Sequence, residues 1–471
     1  MLTGIFFGLT FLLTELALGG KARYVVAGLL GGFMSVLAVH QPKQAVIALL
    51  CFLTFFAELR RVLLYVADWS GADPFLLIGP GVAVLLVSRL VFGQASLPQT
   101  RLSQSIFYLI LYMGLQILNP LQGGLLVGVA GSMFYVVPLL WFWIGREIAD
   151  RDLVCTILLK VIVPIALLTA AMGIYQSFFG FLPHQQTWID NHSYAAIMLA
   201  FDTARPFSTF TSGQEFAAYM GIGAAVATSY ALAAGKKQFL LLLPMFLLAI
   251  FVQGSRGPIL GFAGVIALLW AFQGANPQLW FPRFAVAISL GIAIGYLSLG
   301  SIGRINGSHT FDAAARHQIE GLTNPLNEEK STAKGHASMK VNGVIQGFLQ
   351  PYGMGLGYTT MAASKFGSGG VGTEVDLSNM FVSLGAPGGL LYLFVVVQIV
   401  RLAISQWART RSATSLATGA VLVACFGQWL SGSMYSITPV VWILVGHMDA
   451  EQWWFDRGDL ILETGSLRDE S

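Results

Sequence analysis

The sequence predicts an all-α protein that crosses a membrane many times, and three observations support this fold class. Of the 471 residues, 55% are hydrophobic and only 10% are charged, whereas charged residues make up about a quarter of soluble domains. The apolar residues form long runs, and roughly 20 such residues cross the hydrocarbon layer as a helix. Because a bilayer offers no water to an open backbone, we expect these spans to be helical.

Apolar windows predict about 12 to 14 transmembrane helices in a single transmembrane domain formed by residues 1–471. The windows lie near 3–19, 24–39, 43–57, 74–92, 104–118, 124–145, 155–180, 214–234, 238–253, 257–273, 282–300, 378–400, 415–432 and 434–449. The first window lacks a basic leading region and carries Glu15, so we interpret it as a span and not as a cleaved signal peptide. The cysteines Cys51, Cys155 and Cys425 fall in apolar runs, which favours core positions over disulfides or a metal cluster.

The basic residues predict the orientation of the chain. With the amino terminus in the cytoplasm, most lysines and arginines fall on cytoplasmic connections, as the positive-inside rule requires. The main exceptions on the short outer connections are Lys21, Arg23, Arg60 and Arg61. In the same orientation Arg205, Arg256 and the polar segment 301–376 all lie outside the cytoplasm, so we expect them to share one face.

The polar segment 301–376 is predicted to be one long extracytoplasmic loop. Within it, alanine-rich and i, i+4 apolar spacing predicts helices at 310–320 and 332–349. The sequence PYGMGLGY at 351–358 is expected to end the second helix, and the glycine-rich stretch 367–372 is expected to be mobile. Since loops of this length are usually either functional or disordered, the mixture of helices and hinges favours a functional lid.

Two arginines on this face are candidate ligands for a diphosphate. Arg256, in GSRGPILG, stands at the amino end of a helix, where the dipole and free N–H groups favour an anion. Arg205, in RPFSTF, precedes another helix, and a guanidinium grips phosphate oxygens with two parallel bonds. The alternatives are a packing face at Gly257 and Gly261 with Arg256 reaching the interface, and an ordinary interfacial position for Arg205.

Acidic residues on the same face are candidate proton acceptors. Glu374 and Asp376 stand just before the span that begins SNMFVSLGAPGG, where a carboxylate is either a helix cap or a general base. Glu215 lies in the first turn of a helix, which is a sufficient structural reason for a carboxylate. The histidines of the predicted lid lack metal-ligand context and are interpreted as solvated: His309, His317 and His336.

Taken in order, four of these motifs resemble a known pattern. RPFSTFTSGQEFAAY, FVQGSRGPILG, PYGMGLGY and SNMFVSLGAPGGLLYL are similar in order and spacing to the O-antigen ligase and polymerase superfamily, over residues 105–400. The span at 119–145 also resembles the one that precedes the core in exopolysaccharide polymerases of this group. The resemblance implies a GT-C-like helical fold and a glycosyltransferase of the bacterial plasma (inner) membrane that needs neither metal nor cofactor.

The resemblance also implies substrates and roles. The donor would be an undecaprenyl-diphosphate-linked oligosaccharide, held by Arg205 and Arg256, and the acceptor a hydroxyl of a second glycan. Ligases of the superfamily carry His-Asn at the start of the span after the loop, whereas this chain has Ser378 before Asn379. This departure shifts the expectation from a ligase to a polymerase of exopolysaccharide or O-antigen repeat units, with Asp376 or Glu374 as the base.

Other partners and rival functions also follow from this interpretation. The expected partners include membrane lipid and a chain-length regulator or flippase, but no nucleic acid. The nearest rival is an O-antigen ligase that transfers a finished glycan to lipid or protein. A rival of another class is a polysaccharide transporter or flippase, for which we expect paired broken helices and buried charges near mid-membrane.

Overall fold

Helices account for nearly all the regular structure of the protein. The computed structural model describes residues 21–65, 67–69, 73–92, 98–192, 198–199, 203–274, 276–290, 333–367, 369–370, 372–430 and 434–456. In chain order the helices are α1 (Ala22–His40), α2 (Pro42–Val62), α3 (Ile78–Phe92), α4 (Arg101–Gln116), α5 (Leu125–Ile148), α6 (Arg151–Phe179), α7 (Pro183–His192), α8 (Gly213–Ala233), α9 (Leu243–Gln253), α10 (Arg256–Phe272), α11 (Trp280–Leu290), α12 (Ala333–Leu349), α13 (Met361–Phe366), α14 (Asp376–Thr410), α15 (Ala413–Ala424) and α16 (Thr438–Asp456). Strands β1 (Met198–Leu199) and β2 (Thr203–Ala204) form a two-residue antiparallel pair.

Six stretches are long and apolar enough to cross a membrane, by length and composition. They are Ala22–His40, Pro74–Phe92, Leu125–Ile148, Arg151–Phe179, Gly213–Ala233 and Asp376–Thr410. Shorter apolar helices accompany them at Lys237–Gln253, Arg256–Phe272, Trp280–Leu290 and Ala413–Ala424. The prediction of an all-α polytopic membrane protein is therefore confirmed, whereas the count of 12 to 14 spans stays a prediction. The window 3–19 and residues 291–300 of the window 282–300 lie outside the described residues.

One predicted span, 415–432, is wrong at its carboxyl end. Helix α15 ends at Ala424, and residues 425–430 and 434–437 are not helical before α16 begins at Thr438. The break includes Gly427 in the left-handed region (φ 84°). Non-helical backbone inside an apolar bundle needs partners for its N–H groups, and buried carboxylates supply two of them, as the site shows below. We call this stretch the 425–437 segment; its residues 431–433 lie outside the described part.

The described part of the polar segment is built into the bundle. Helix α12 confirms the second predicted helix, whereas the predicted helix at 310–320 lies outside the described residues. The 351–358 turn follows α12, as PYGMGLGY predicted, and donates to α14: Met354 N–H to Val382 O (2.9 Å) and Gly355 N–H to Ser383 O (3.0 Å). These carbonyl groups are available because α14 breaks at Gly385 (φ 69°, ψ −176°).

Glycine permits the close approach between this turn and α14. A Cβ atom on Gly353 would lie 2.4 Å from the Ser383 oxygen, and one on Gly385 would lie 2.0 Å from the Pro351 oxygen. Both distances are far below van der Waals contact, and both glycines have positive φ, so other residues would be excluded on two grounds. The turn and the break in α14 therefore form one fitted unit.

The connections predicted to be cytoplasmic contact one another. Arg146 Nε pairs with Asp449 (2.9 Å), whose Oδ1 also accepts from the Thr100 hydroxyl (2.8 Å). Lys43 pairs with Asp150 on a neighbouring connection. A cavity at this end is lined in part by Arg146, and none of the four candidate site residues lines it.

Candidate functional site

Arg205 lies on a tightly held turn between β2 and α8. Its side chain is half-buried, and Nη1 donates to the carbonyl oxygen of Gln253 (3.4 Å), the last residue of α9. Burial lowers the pKa of the Arg205 guanidinium, and the nearby positive charge of Arg256 lowers it further. Among the described residues no carboxylate forms an ion pair with Arg205. The structure thus brings the two predicted arginines together.

Arg256 is the first residue of α10, as the sequence predicted. Gly254 in the left-handed region (φ 83°) ends α9, and Ser255 in an extended conformation precedes α10. The Ser255 N–H donates to the Gln253 side-chain oxygen (2.9 Å), which fixes the turn between the helices. Arg256 therefore stands where unpaired helix N–H groups point, and Arg205 reaches the same turn from the other side.

Gly257 and Gly261 were the alternative explanation for the GSRG motif. A Cβ atom on Gly257 would meet nothing within 4 Å, so this glycine is not required by packing. On Gly261 a Cβ would lie 3.0 Å from the Ala424 oxygen at the end of α15. Only Gly261 fits the packing interpretation, and that contact places α10 against the start of the 425–437 segment.

Glu215 has a structural role that extends beyond the start of its helix. It is fully buried, and its Oε1 accepts from the backbone N–H (2.7 Å) and hydroxyl (2.8 Å) of Ser436. Its Oε2 accepts from the Thr211 N–H (3.2 Å) and hydroxyl (2.5 Å), and Ser212 caps the helix. Glu215 thus joins the turn after Arg205 to the 425–437 segment.

Asp376 is held by the other end of the same segment. It is 1% exposed, and its Oδ2 accepts from the Leu430 N–H (2.9 Å) and the Tyr392 hydroxyl (3.2 Å). Its own N–H donates to the Gly427 oxygen (2.8 Å). The cap interpretation is wrong for Asp376, because α14 begins at Asp376 itself and Val375 is the capping residue, without a side-chain bond.

Glu374 contacts a histidine that the sequence interpretation treated as solvated. Its Oε1 forms an ion-pair contact with Nδ1 of His336 on α12, and the side chains are 37% and 42% exposed. Glu374 also has φ 72°, a left-handed conformation that is uncommon for a residue with a side chain. His336, interpreted as solvated, is partly exposed but lies on a helix and contacts Glu374, while His309 and His317 lie outside the described residues.

The 425–437 segment lies between the arginine turn and the acidic turn. Ala424, the residue just before the segment, lies beside Gly261 of α10, and a Cβ on Gly427 would meet the Val375 side chain at 3.6 Å. Its later part is bonded to Glu215 through Ser436. Of the four predicted site residues, Asp376 is therefore bonded to this segment directly, and Glu374 is the neighbour of Val375, which lies beside it.

No family model, curated protein or solved structure matches the chain. The likeness to the O-antigen ligase and polymerase superfamily stays a prediction, and the site has to be argued from its residues. The side-chain oxygen of Asn379, the residue that follows Ser378 in the predicted motif, accepts from the Thr373 N–H (2.7 Å) and hydroxyl (2.8 Å). It stabilises the turn that presents Glu374.

The structure also explains the arginines that broke the positive-inside pattern. Arg23 Nη1 and Arg60 Nε both bind Asp73 Oδ2, at 2.8 and 2.9 Å, and all three residues are buried. Arg61 binds Glu58 (3.3 Å) and the Phe210 oxygen (2.6 Å). The signal in the sequence was present, since Glu58 and Asp73 flank these arginines, but the pairing across helices could not be deduced from it.

Proposed function

We propose that this protein is a membrane glycosyltransferase that polymerises oligosaccharide repeat units carried on undecaprenyl diphosphate. The observation that carries the proposal is the meeting of Arg205 with the α9–α10 turn, directly before Arg256. Two guanidinium groups at one helix start supply what a diphosphate needs, which is positive charge together with N–H donors. Arg205 also has no carboxylate partner among the described residues, so an external anion would complete its environment.

The arrangement supports a single displacement at the sugar. The acceptor oxygen would bond to the anomeric carbon, the bond from that carbon to the diphosphate would break, and the electron pair would leave with the diphosphate. Arg205 and Arg256 would stabilise the developing charge there, and one such donor typically contributes about 3 kcal/mol, or a hundredfold in rate. The proton of the acceptor hydroxyl would pass to a carboxylate or histidine.

Glu374 is the better placed of the two predicted bases. Its side chain is 37% exposed and touches His336, so the pair can meet an acceptor that arrives from solvent. Asp376 is 1% exposed and already accepts two hydrogen bonds, which suits a residue that holds the 425–437 segment. A positioned base contributes about 10²–10⁴ in rate.

The test is turnover by purified protein in detergent with an undecaprenyl-diphosphate oligosaccharide as the only substrate. Arg205→Ala and Arg256→Ala should each abolish polymer, and Arg409→Ala, which removes an exposed pair with Asp456, is the matched control. Product that stays on undecaprenyl diphosphate separates a polymerase from a ligase. Normal polymer from both site variants would remove the diphosphate-clamp proposal.

A second candidate is a polysaccharide transporter, and a specific observation favours it. Two apolar stretches are broken, at Gly385 in α14 and in the 425–437 segment, and the second break is bonded to the buried carboxylate of Asp376. Discontinuous helices with buried charges are typical of transporters. Polymer formation by the protein in detergent, where no sealed membrane exists, would exclude the transporter. Transport of polysaccharide into proteoliposomes without polymer formation would support it.

A further inference from the structure

The turn that carries Arg205 is held from two sides by buried side chains. On one side the Gln176 oxygen accepts from the N–H groups of Phe207 (3.1 Å) and Ser208 (2.7 Å), and its nitrogen donates to the Ser208 oxygen (3.2 Å). On the other side Arg61 Nη2 donates to the Phe210 oxygen (2.6 Å). Gln176 and Arg61 belong to different helices, α6 and α2, so the turn is fixed relative to both.

A chain of hydrogen bonds connects Gln176 to Arg61, and together with the turn it forms a closed ring. The Gln176 nitrogen also donates to the side-chain oxygen of Gln185 (3.0 Å), whose nitrogen donates to Glu58 Oε1 (2.7 Å). Glu58 Oε2 then accepts from Arg61 Nη1 (3.3 Å), and Arg61 returns to the turn. Gln176, Gln185 and Arg61 are each no more than 1% exposed, whereas the Glu58 side chain is 15% exposed, so the bond between the two glutamines is shielded from water.

The ring has a polarity that begins at Glu58. A carboxylate only accepts hydrogen bonds, whereas a glutamine side chain has one donating and one accepting end. Gln185 must therefore aim its NH₂ group at Glu58 and its oxygen at Gln176. Gln176 must then aim its NH₂ group at Gln185, which leaves its oxygen for the two N–H groups of the turn. The order that begins at Glu58 thus matches the contacts of Gln176 with the turn, where its oxygen accepts from two N–H groups and its nitrogen donates to the Ser208 oxygen.

The turn needs such a constraint. Ser208 has φ 53°, a left-handed conformation that a residue with a side chain adopts at a cost of about 1–2 kcal/mol. Its hydroxyl donates to the Thr169 oxygen (2.7 Å), and the Thr209 hydroxyl donates to the Thr54 oxygen (2.8 Å). Hydrogen bonds thus fix the strained backbone at residues 207–210. This conformation determines the direction of the Arg205 side chain on the same turn.

We propose that Glu58 is a positioning residue for Arg205, acting through Gln185, Gln176 and Arg61 on the turn that presents the guanidinium to a lipid-linked diphosphate. This inference rests on the proposed function, because it takes the diphosphate as the ligand of Arg205. Glu58 itself does not touch that ligand. Its role is to keep the ring in the one hydrogen-bonding order that grips the turn.

The experiment is a double-mutant cycle on binding of undecaprenyl diphosphate to the purified full-length protein in detergent. Glu58→Gln places an amide NH₂ group in a ring that is built around an acceptor, and Gln176→Met removes the grip on the turn. Each variant should weaken binding about tenfold, the value of one or two buried hydrogen bonds. Because both variants break the same ring, the double variant should be little weaker than either one.

A matched control separates positioning from general destabilisation. Gln398→Leu removes a glutamine bond to Ser105 (2.9 Å) in another part of the bundle. In the double variant with Glu58→Gln, the fold-changes in binding of the two single variants should multiply. If Glu58→Gln does not fold, Gln185→Met breaks the middle of the ring while both charges stay in place. The same loss of about tenfold is then expected, measured together with thermal unfolding.

Three outcomes would contradict these proposals, and they can be told apart. Binding within about twofold of the original protein for both Glu58→Gln and Gln185→Met, with binding lost in Arg205→Ala, would overturn the positioning role and leave the proposed function intact. Normal binding and turnover by Arg205→Ala would instead overturn the proposed function, and with it any reason to position that arginine. Multiplicative effects of Glu58→Gln and Gln176→Met would also count against the ring.

Discussion

Two groups of arginines near the same end of the bundle have opposite electrostatic surroundings. Arg23 and Arg60 share the carboxylate of Asp73, and the Phe75 N–H donates to the remaining oxygen (3.1 Å). Arg205 has a carbonyl oxygen as its partner and Arg256 as its charged neighbour. The first group is neutralised by the protein itself, which is how buried charges that stabilise a fold are arranged. In the second group, Arg205 has no carboxylate partner among the described residues, so the protein does not neutralise its charge in the same way.

Asp73→Ala should produce the largest effect on stability. It leaves two buried guanidinium groups without their carboxylate, and breaking a buried pair in this way typically costs about 3–5 kcal/mol. Thermal unfolding in detergent measures the loss, with Asp456→Ala, which ends an exposed pair with Arg409, as the control. A shift as small as that of the control would mean that the two groups do not differ as described.

Arg205→Ala should produce the opposite pattern. Since Arg205 has no carboxylate partner among the described residues, its removal should change stability little, while turnover should fall about a hundredfold. Arg205→Lys should restore part of the activity at most, because an ammonium cannot bind two phosphate oxygens in parallel. The measurement is polymer formed per protein alongside the unfolding temperature. A large loss of stability with unchanged turnover would assign Arg205 to the structural group.

Glu215→Gln sharpens the comparison at an intermediate level. The carboxylate accepts from Ser436 and Thr211 and is fully buried, so an amide NH₂ group would face at least one donor. The expected cost is about 1–3 kcal/mol in unfolding free energy. Ser436→Ala, which removes one donor and leaves the carboxylate, should cost less. Equal effects of the two variants would show that the amide rearranges without penalty.

Glu374→Gly is expected to have the smallest effect on stability, and this effect should be a stabilisation. At φ 72° a glycine is unstrained, and the contact with His336 that is lost is partly exposed, so the protein should gain up to about 1 kcal/mol. Turnover should nevertheless fall if Glu374 is the base. Glu374→Asn is the second variant, because asparagine tolerates the left-handed conformation but its amide cannot act as a base as a carboxylate does. Unchanged turnover in both would remove Glu374 from the chemistry.

The sequence was sufficient for what depends on composition and on the ends of helices. Apolar runs predicted the helices, and charge counting placed Arg205 and Arg256 on one face, where the structure brings them together. It failed at 415–432, because Trp429 and Leu430 are buried apolar residues and apolarity alone does not distinguish a helix from a buried irregular segment. The contacts of His336 with Glu374 and of Arg23 with Asp73 join remote parts of the chain, and no periodicity records such pairs.

The 425–437 segment ties the two halves of the candidate site mechanically. One of its backbone N–H groups is anchored on Asp376 and another on Glu215, so this unwound strap spans from the acidic turn to the turn that follows the guanidinium. The anchored residues Leu430 and Ser436 are close in the chain, so the two buried carboxylates restrain the same short stretch of backbone from opposite ends.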